Sequence, residues 1–309
     1  MKIVIAGGTG FLGGPLAEMY AEDGNEVYVL SRSVPVGEMR HDPGTGVPGI
    51  TRVGWIPDGS SGRWSSVLEN ADALVNLSGE PLDAKRWNAQ TKQQLRDSRV
   101  LATGSLVAAM RSLSSAPAVF ISGSAVGYYG PCDNRPLSER DEPGKDFLAQ
   151  LCVDWEKEAL PAASLTRVVL IRTGIVLERS GGALPEMMKP FRFFAGGPLG
   201  SGRQYVSWVH RLDWVEMVRW IVQTPSVRGP VNVTAPHPVT NRQLARAIGR
   251  AMRRPSLLPA PAFALKAVVG EFAESLVTGQ RVIPAIAQQA GYHFRYPELD
   301  QAFRGMFEG

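Results

Sequence analysis

Cysteine is almost missing from this 309-residue chain, which contains only Cys132 and Cys152. The two form neither a CxxC pair nor a metal-ligand spacing, so the sequence predicts no metal site and no dithiol redox centre. Such sparse cysteine is typical of a reducing compartment. Cys152 is interpreted as a small buried apolar side chain rather than a reactive thiol, because free cysteines are usually buried.

Long apolar runs are missing too. No stretch approaches the roughly 20 consecutive apolar residues that a bilayer-spanning helix needs. The opening residues, Met1 to Ala6, are too short for a signal peptide and lead directly into a glycine motif. The sequence therefore predicts a cytoplasmic protein without a membrane partner.

Neither sign of charge dominates the composition. Lys and Arg number 33 against 29 Asp and Glu, which gives a formal net charge of +4. The basic residues are scattered apart from a small cluster at Arg250, Arg253 and Arg254, and no basic stripe is interleaved with aromatic residues. Nucleic acid is therefore not an expected partner. A slightly basic cleft for an anionic cofactor would account for the balance, and so would chance.

Segments typical of strands alternate with segments typical of helices over most of the chain. Short apolar runs predict strands at residues 2–6, 26–30, 73–76, 118–122, 167–172 and 230–233. Apolar residues at helical spacing predict helices at about 12–23, 88–113, 146–160, around 187 and at 240–252, the last capped by Thr240 or Asn241. This alternation predicts an α/β fold, a doubly wound parallel sheet with strand order about 3-2-1-4-5-6-7.

After residue 177 the chain becomes rich in glycine and proline, and a proline-rich linker follows the helix at 240–252. We therefore expect a nucleotide-binding domain over 1–252, with substrate-region insertions after about residue 178. Residues 253–309 are expected to form a small C-terminal domain. In doubly wound sheets, ligands bind beyond the carboxyl ends of the strands.

A glycine motif occupies the first of these carboxyl ends. Residues 8–13, Gly-Thr-Gly-Phe-Leu-Gly, fit GxGxxG, and Gly7, Gly10 and Gly13 fit GxxGxxG. Such glycines allow a tight turn and the approach of a pyrophosphate, and the helix start offers free N–H groups to phosphate. Ser31 and Arg32 follow the second strand, where NAD-binding chains carry an acidic residue. Arginine binds a 2′-phosphate, so NADP(H) is the predicted cofactor, with a merely solvated Arg32 as the alternative.

The chain resembles a known family through segments spread along nearly its whole length. They are AGGTGFLG, VLSRS, NLSGEPL, RWN, SGSAVGYYG, RTGIVL, GGALPEMMKPF, GGPLGSG and GQRVIPAIAQQAGYHFRYPEL. The family is the extended short-chain dehydrogenases/reductases, and within it the atypical branch called epimerase family proteins. The resemblance implies a Rossmann-like doubly wound parallel sheet with a smaller C-terminal substrate region.

The resemblance and the glycine motif together imply a set of cofactor-binding residues. The set is Gly7, Thr9, Gly10, Phe11, Leu12, Gly13, Ser31, Arg32, Leu77, Ser78, Gly79, Glu80, Arg86, Ser122, Thr173 and Val176. Among these, Glu80 and Arg86 would line the cofactor cleft, and Thr173 and Val176 would lie near the nicotinamide. A homodimer is also consistent with the resemblance, since the helix at 88–113 lies where dimeric members pair.

The catalytic pair of the family is missing from the chain. Active members use a tyrosine with a lysine four residues later, but the matching helix places Leu148 and Cys152 there. Ser124 is retained on the preceding strand, and Tyr128 and Tyr129 follow it, so these three are the predicted catalytic residues. Ionising an unassisted tyrosine at pH 7 costs about 4 kcal/mol, whereas a tyrosine that donates a proton starts protonated.

The sequence therefore predicts an NADP(H)-dependent oxidoreductase, a reductase of a small carbonyl substrate. Two alternatives stay open: an NADP(H)-binding sensor without turnover, and a nucleotide-sugar epimerase. His210 and Asp213 are interpreted as a helix start rather than an acid–base pair, because such residues favour helix starts. Arg203, in a glycine-rich loop, is equally consistent with a substrate contact and a surface turn.

Overall fold

The computed structural model describes residues 1–41 and 49–308 of the chain. The strands are β1 (Lys2–Ala6), β2 (Glu26–Val36), β3 (Met39–His41), β4 (Ile50–Gly54), β5 (Ala73–Asn76), β6 (Val119–Ala125), β7 (Pro136–Leu137), β8 (Arg167–Thr173), β9 (Ile175–Leu177), β10 (Tyr205–Val206), β11 (Trp208–His210), β12 (Gly229–Val233), β13 (Val239–Thr240) and β14 (Arg281–Val282). The helices are α1 (Gly13–Glu22), α2 (Ala89–Arg111), α3 (Phe147–Ala159), α4 (Ala183–Arg192), α5 (Arg211–Gln223), α6 (Asn241–Met252), α7 (Ala262–Val269), α8 (Ala273–Val277), α9 (Ala285–Gln289) and α10 (Leu299–Phe307).

One large sheet organises these elements in the order β12-β8-β6-β5-β1-β2-β4-β3. Its strands run parallel except for β3, which pairs antiparallel with β4 at the edge. Numbered along the chain, the parallel strands stand in the order 3-2-1-4-5-6-7, so the predicted α/β fold and strand order are confirmed. The third of them, β4, was not located from the sequence because its Ile-Thr-Arg-Val-Gly segment mixes polar and apolar residues.

The sheet is buried on both faces, as a doubly wound sheet requires. On β1, Ile3 and Ile5 join a core with the apolar stripes of α1 and α5, whereas Val4 faces a second core with α2. The fully buried Trp214 of α5 belongs to the first core. Consecutive residues of a strand point to opposite faces, so every residue of β1 after Lys2 is buried.

Helix ends follow their capping residues. The side chain of Asn88 accepts a hydrogen bond from Thr91 N at the start of α2, and that of Asp146 accepts one from Ala149 N at the start of α3. Thr240, the first of the two predicted caps, forms a capping box with Gln243 at the start of α6. These caps place the predicted helices within about two residues of their observed bounds.

Two buried carboxylates tie the C-terminal segment to the rest of the chain. Asp213 accepts hydrogen bonds from the backbone nitrogens of Arg295 and Tyr296, at 2.7 and 2.8 Å. Glu139 Oε1 accepts from the backbone nitrogens of Asn232 and Ile286, at 3.1 and 3.2 Å. The predicted boundary at residue 252 stays a prediction.

Over the described part of the chain, no helix combines the length and the apolar character needed for a bilayer crossing.

Gly13 permits the contact between α1 and the loop before it. A Cβ at Gly13 would lie 2.3 Å from Gly7 O, whereas a Cβ at the neighbouring Gly14 would meet nothing closer than Gly8 O at 3.9 Å. We expect Gly13→Ala to lower the free energy of unfolding by about 2–4 kcal/mol, because the helix must move away from the loop. Gly14→Ala is the matched control and should change stability by about 1 kcal/mol or less. Urea denaturation without cofactor measures both, and equal effects would contradict this account.

Candidate functional site

The glycine loop lies at the carboxyl edge of the sheet, between β1 and α1. Gly7 has a φ of +82°, and a Cβ there would lie 2.9 Å from the backbone of Leu77, so loop and β5 approach closely. A Cβ at the exposed Gly10 would meet only Gly7 O at 3.3 Å, which leaves the outer side of the loop open. No side chain caps the start of α1 at Leu12. The positive end of the helix is therefore free to bind an anion.

Arg32 extends from the carboxyl-terminal part of β2, beside this loop. Its Nη1 lies 3.3 Å from Glu80 Oε1, and both side chains are well exposed. The backbone of Glu80 is fixed by α2, since Glu80 N donates to Ser98 Oγ and Glu80 O accepts from Arg99. Ser31 is buried, with its hydroxyl 2.8 Å from that of Ser33. The structure thus brings Arg32 and Glu80 together and leaves the Arg32 guanidinium exposed.

Other residues of the predicted cofactor set have protein partners. Arg86 Nη2 donates to Ala267 O at 3.1 Å, so this guanidinium contacts α7. Thr173 Oγ1 accepts a hydrogen bond from Trp214 Nε1 at 3.1 Å. The ring of Phe11 lies against Gly182, and Val176 is buried. Their roles toward a cofactor stay predictions, as do those of Thr9, Ser78, Gly79 and Ser122.

A buried ion pair joins β8 to α3 near the carboxyl edge of the sheet. The sequence analysis did not predict it. Arg172 on β8 and Glu156 on α3 are both almost fully buried. Arg172 Nε lies 2.8 Å from Glu156 Oε1, and Nη2 lies 2.9 Å from Oε2, so the pair is bidentate. The hydroxyl of Ser124 donates to the same Oε1 at 2.7 Å. The hydroxyl of this predicted catalytic serine is thus bound to a carboxylate inside the protein.

The two predicted catalytic tyrosines have different surroundings. Tyr129 is fully buried; its hydroxyl donates to Asn232 Oδ1 at 2.7 Å and accepts from Arg172 at 3.1 Å. Burial raises the pKa of Tyr129 to about 12. Tyr128 is only half-buried, and its ring lies over the Arg172 guanidinium with 3.4 Å from Cζ to the ring centroid. Tyr128 is therefore the more accessible phenol of the pair.

Leu148 and Cys152 lie on one face of α3, beside the 3₁₀ turn Val126–Tyr129. A Cβ at Gly127 would be 3.4 Å from Leu148 Cβ and 3.9 Å from Cys152 Sγ. Burial raises the pKa of the Cys152 thiol to about 12, so the thiol is protonated at neutral pH. The predicted burial of Cys152 is confirmed. Glu156 lies one turn later on the same face of α3, and its carboxylate contacts Arg172.

His210 and Asp213 occupy the start of α5. His210 is the N-cap, with Nδ1 accepting from Leu212 N at 3.1 Å, and its ring stacks on Tyr296 at 4.2 Å. Asp213 binds the two backbone nitrogens of the C-terminal segment described above. No hydrogen bond joins the two side chains. These contacts agree with the interpretation of the pair as a helix start.

The family of the chain follows from comparison with known proteins. A model described as the NAD dependent epimerase/dehydratase family matches residues 3–234. The chain belongs to this family. A second model, a domain of unknown function, DUF1731, matches residues 260–306. The predicted resemblance to the extended short-chain dehydrogenases/reductases is thereby confirmed.

Similar proteins occur in plants, bacteria and animals. The chain is 38% identical over 310 residues to the chloroplastic homologue of epimerase family protein SDR39U1 from Arabidopsis thaliana, covering all of this chain and 87% of that protein. It is 41% identical to the epimerase family protein MT2273 of Mycobacterium tuberculosis, over 97% of this chain and 95% of that one. The crystal structure of human SDR39U1 isoform 2 with NADPH is 33% identical over both full chains, with a TM-score of 0.88.

Burial of His210 makes the stability depend on pH. Burial lowers its pKa from 6.5 to about 4, so below pH 6.5 the unfolded chain binds a proton that the folded protein does not bind until about pH 4. Stability is therefore lost as the pH falls through this window, by about 2 kcal/mol between pH 7 and pH 5.

His210→Asn should remove this part of the pH dependence, since asparagine retains a helix-capping oxygen but does not titrate. Urea denaturation of both proteins at pH 7 and pH 5 measures the difference. An unchanged pH dependence in the variant would show that His210 is not the titrating group.

Proposed function

We propose that the chain binds NADP(H) with its pyrophosphate at the glycine loop and its 2′-phosphate at Arg32. The observation that carries this proposal is the exposed Arg32 guanidinium, with Glu80 beside it, two residues beyond the part of β2 that pairs with β1. A carboxylate at the position of Arg32 would bind a ribose hydroxyl, whereas a guanidinium binds phosphate by two parallel hydrogen bonds. Because the open side of the loop at Gly10 and the uncapped start of α1 accept an anion, these residues fit the cofactor. The NADPH in the crystal structure of the human relative supports the same assignment.

Replacing Arg32 tests cofactor selection. Arg32→Asp should weaken NADPH binding about 100-fold, because it exchanges an attractive charge for a repulsive one, while NADH binding should change about threefold or less. Titration of the purified protein, followed by nicotinamide fluorescence, measures both affinities. Arg250→Asp is the matched control, since Arg250 is equally exposed and also ion-paired, but lies on α6. Loss of NADPH affinity in the control alone, or in neither protein, would refute the role of Arg32.

We propose further that the bound cofactor serves a reduction. NADPH, when bound, supplies a hydride to a carbonyl carbon, and Tyr128 donates its phenolic proton to the carbonyl oxygen. Water then returns a proton to the phenolate, so that one carbonyl, one NADPH and one proton give an alcohol and NADP⁺. Tyr128 takes this role because Tyr129 is sealed in a buried hydrogen-bond network. The Ser124 hydroxyl donates its proton to Glu156 Oε1, which leaves Tyr128 as the proton donor of this proposal.

Oxidation of NADPH in the presence of a panel of small aldehydes and ketones tests this reaction. With any substrate found, Tyr128→Phe should lower kcat by about 10²–10⁴-fold, since it removes the proton donor, and should leave NADPH binding unchanged. Tyr129→Phe is the comparison and should mainly lower stability. Full activity in Tyr128→Phe would exclude the proposed proton donor.

A second function is favoured by one observation, the presence of Leu148 and Cys152 in place of the family's catalytic tyrosine and lysine. In this alternative the chain is an NADP(H)-binding sensor without turnover. It predicts tight NADPH binding and no oxidation of NADPH by any carbonyl. The same two residues weigh against a nucleotide-sugar epimerase, because that reaction must first ionise a hydroxyl for oxidation.

A further inference from the structure

Arg172 is held in one orientation by hydrogen bonds from all three of its guanidinium nitrogens. Nε and Nη2 bind the two oxygens of Glu156, and Nη1 lies 3.1 Å from the hydroxyl of Tyr129 and 3.3 Å from Glu139 O. These acceptors lie around the edge of the planar guanidinium, so they fix its plane. The two faces of the guanidinium remain open to stacking contacts.

One of those faces carries the ring of Tyr128. The distance of 3.4 Å from Arg172 Cζ to the ring centroid is a direct stacking contact. The edge of Tyr129 packs against the same ring, with centroids 5.3 Å apart and an angle of 82° between the planes. The backbone of Tyr128 is also fixed, because its carbonyl oxygen accepts from Gly144 N at 2.9 Å. Tyr128 is thus a half-buried phenol on a rigid cationic support.

An ion pair in this position is costly to the fold. Burial of both charges requires desolvation that their mutual attraction only partly offsets, so an apolar pair of similar size would serve packing equally well. The stack on Tyr128 is a contact that such an apolar pair would not reproduce. It places a positive charge beside the Tyr128 ring, on the turn that also lies against Cys152.

We propose that Arg172, held by Glu156, is the positioning residue for Tyr128 and takes the place of the lysine that active members carry four residues after their tyrosine. This inference rests on the proposed function, in which Tyr128 is the proton donor. The guanidinium fixes the ring by stacking and stabilises the phenolate left after proton donation by its charge. Glu156 holds the guanidinium in place and partly neutralises it.

The charged groups that face Tyr128 act on its phenol in opposite directions. Burial raises the pKa of Tyr128, the charge and hydrogen bonding of Arg172 lower it, and the carboxylates of Glu156 and Glu142 raise it. Removing the negative charge of Glu156 alone should therefore lower this pKa. Removing both charges of the pair should raise it, because the effect of Arg172 exceeds that of Glu156.

Titration of Tyr128 in two variants tests the inference. The full-length protein is labelled with 3-fluorotyrosine, and the Tyr128 signal is assigned by ¹⁹F NMR from its absence in Tyr128→Phe. Glu156→Gln should lower the phenol pKa, and the double variant Arg172→Gln/Glu156→Gln should raise it. The double variant also guards against misfolding, since it leaves no unpaired buried charge and keeps an acceptor for Ser124.

Arg167→Gln is the matched control. Arg167 lies on the same strand and binds the carbonyl oxygens of Ile221, Val222 and Val227, so its loss perturbs β8 without removing a charge beside Tyr128. It should leave the Tyr128 titration unchanged. Opposite shifts in the two Glu156 variants support the proposal, and shifts of the same sign, or none, overturn it.

This readout is separate from turnover. If the Tyr128 pKa shifts as expected but no carbonyl oxidises NADPH, the positioning of Tyr128 stands and the proposed reduction fails. If NADPH is oxidised but the Tyr128 pKa is insensitive to both variants, the reduction stands and the role of Arg172 is wrong.

Discussion

The buried ion pair between Arg172 and Glu156 is the constraint on which the chemical half of the site, Ser124, Tyr128 and Tyr129, depends. It joins β8 to α3, and through Ser124 it also joins β6. A single unpaired charge at this depth would cost several kcal/mol, so neither residue can be exchanged alone without a penalty. The pair therefore fixes the relative positions of the three elements that surround the Val126–Tyr129 turn. Arg172 contacts both tyrosines of that turn, the hydroxyl of Tyr129 and the ring face of Tyr128.

The pair also extends toward the C-terminal segment. Arg172 binds the carbonyl oxygen of Glu139, whose carboxylate binds the backbone of Asn232 on β12 and of Ile286 in α9. Asn232 in turn accepts the hydroxyl of Tyr129 and donates to Ile283 O. A chain of hydrogen bonds thus connects the C-terminal segment to the residues that support Tyr128.

The positions of the glycine loop and of Arg32 could be predicted from the sequence because their signals are local. Gly7, Gly10 and Gly13 lie between the end of β1 and the start of α1, and Arg32 lies in the next strand, β2, of the same βαβ unit. Strand order was also accessible, since right-handed crossovers leave few arrangements for alternating strands and helices. The strand β4 was missed because two of its five residues are polar, and pattern reasoning detects buried strands by continuous apolar runs.

The chemical half could not be predicted, because its interactions join residues far apart in the chain. Arg172 lies near the end of β8, a strand that was correctly predicted. The residues next to it in the sequence do not indicate an ion-pair partner on α3. Glu156 lies four residues after Cys152, on the same face of α3 as Leu148 and Cys152. The signal that could have found it was a carboxylate on the buried face of an amphipathic helix, because such a group requires a cation or hydrogen-bond donors.

Cofactor binding and proton transfer depend on different parts of this fold. Phosphate binding by the glycine loop uses backbone groups and helix geometry, which persist under most substitutions, whereas proton transfer depends on a few side chains held by long-range contacts. A chain can therefore keep its cofactor while its catalytic pair changes. In this chain the positions of the tyrosine and lysine hold Leu148 and Cys152, both beside the turn that carries Tyr128. Under the proposed function the proton donor lies on that turn, and Arg172 is the cation in contact with its ring.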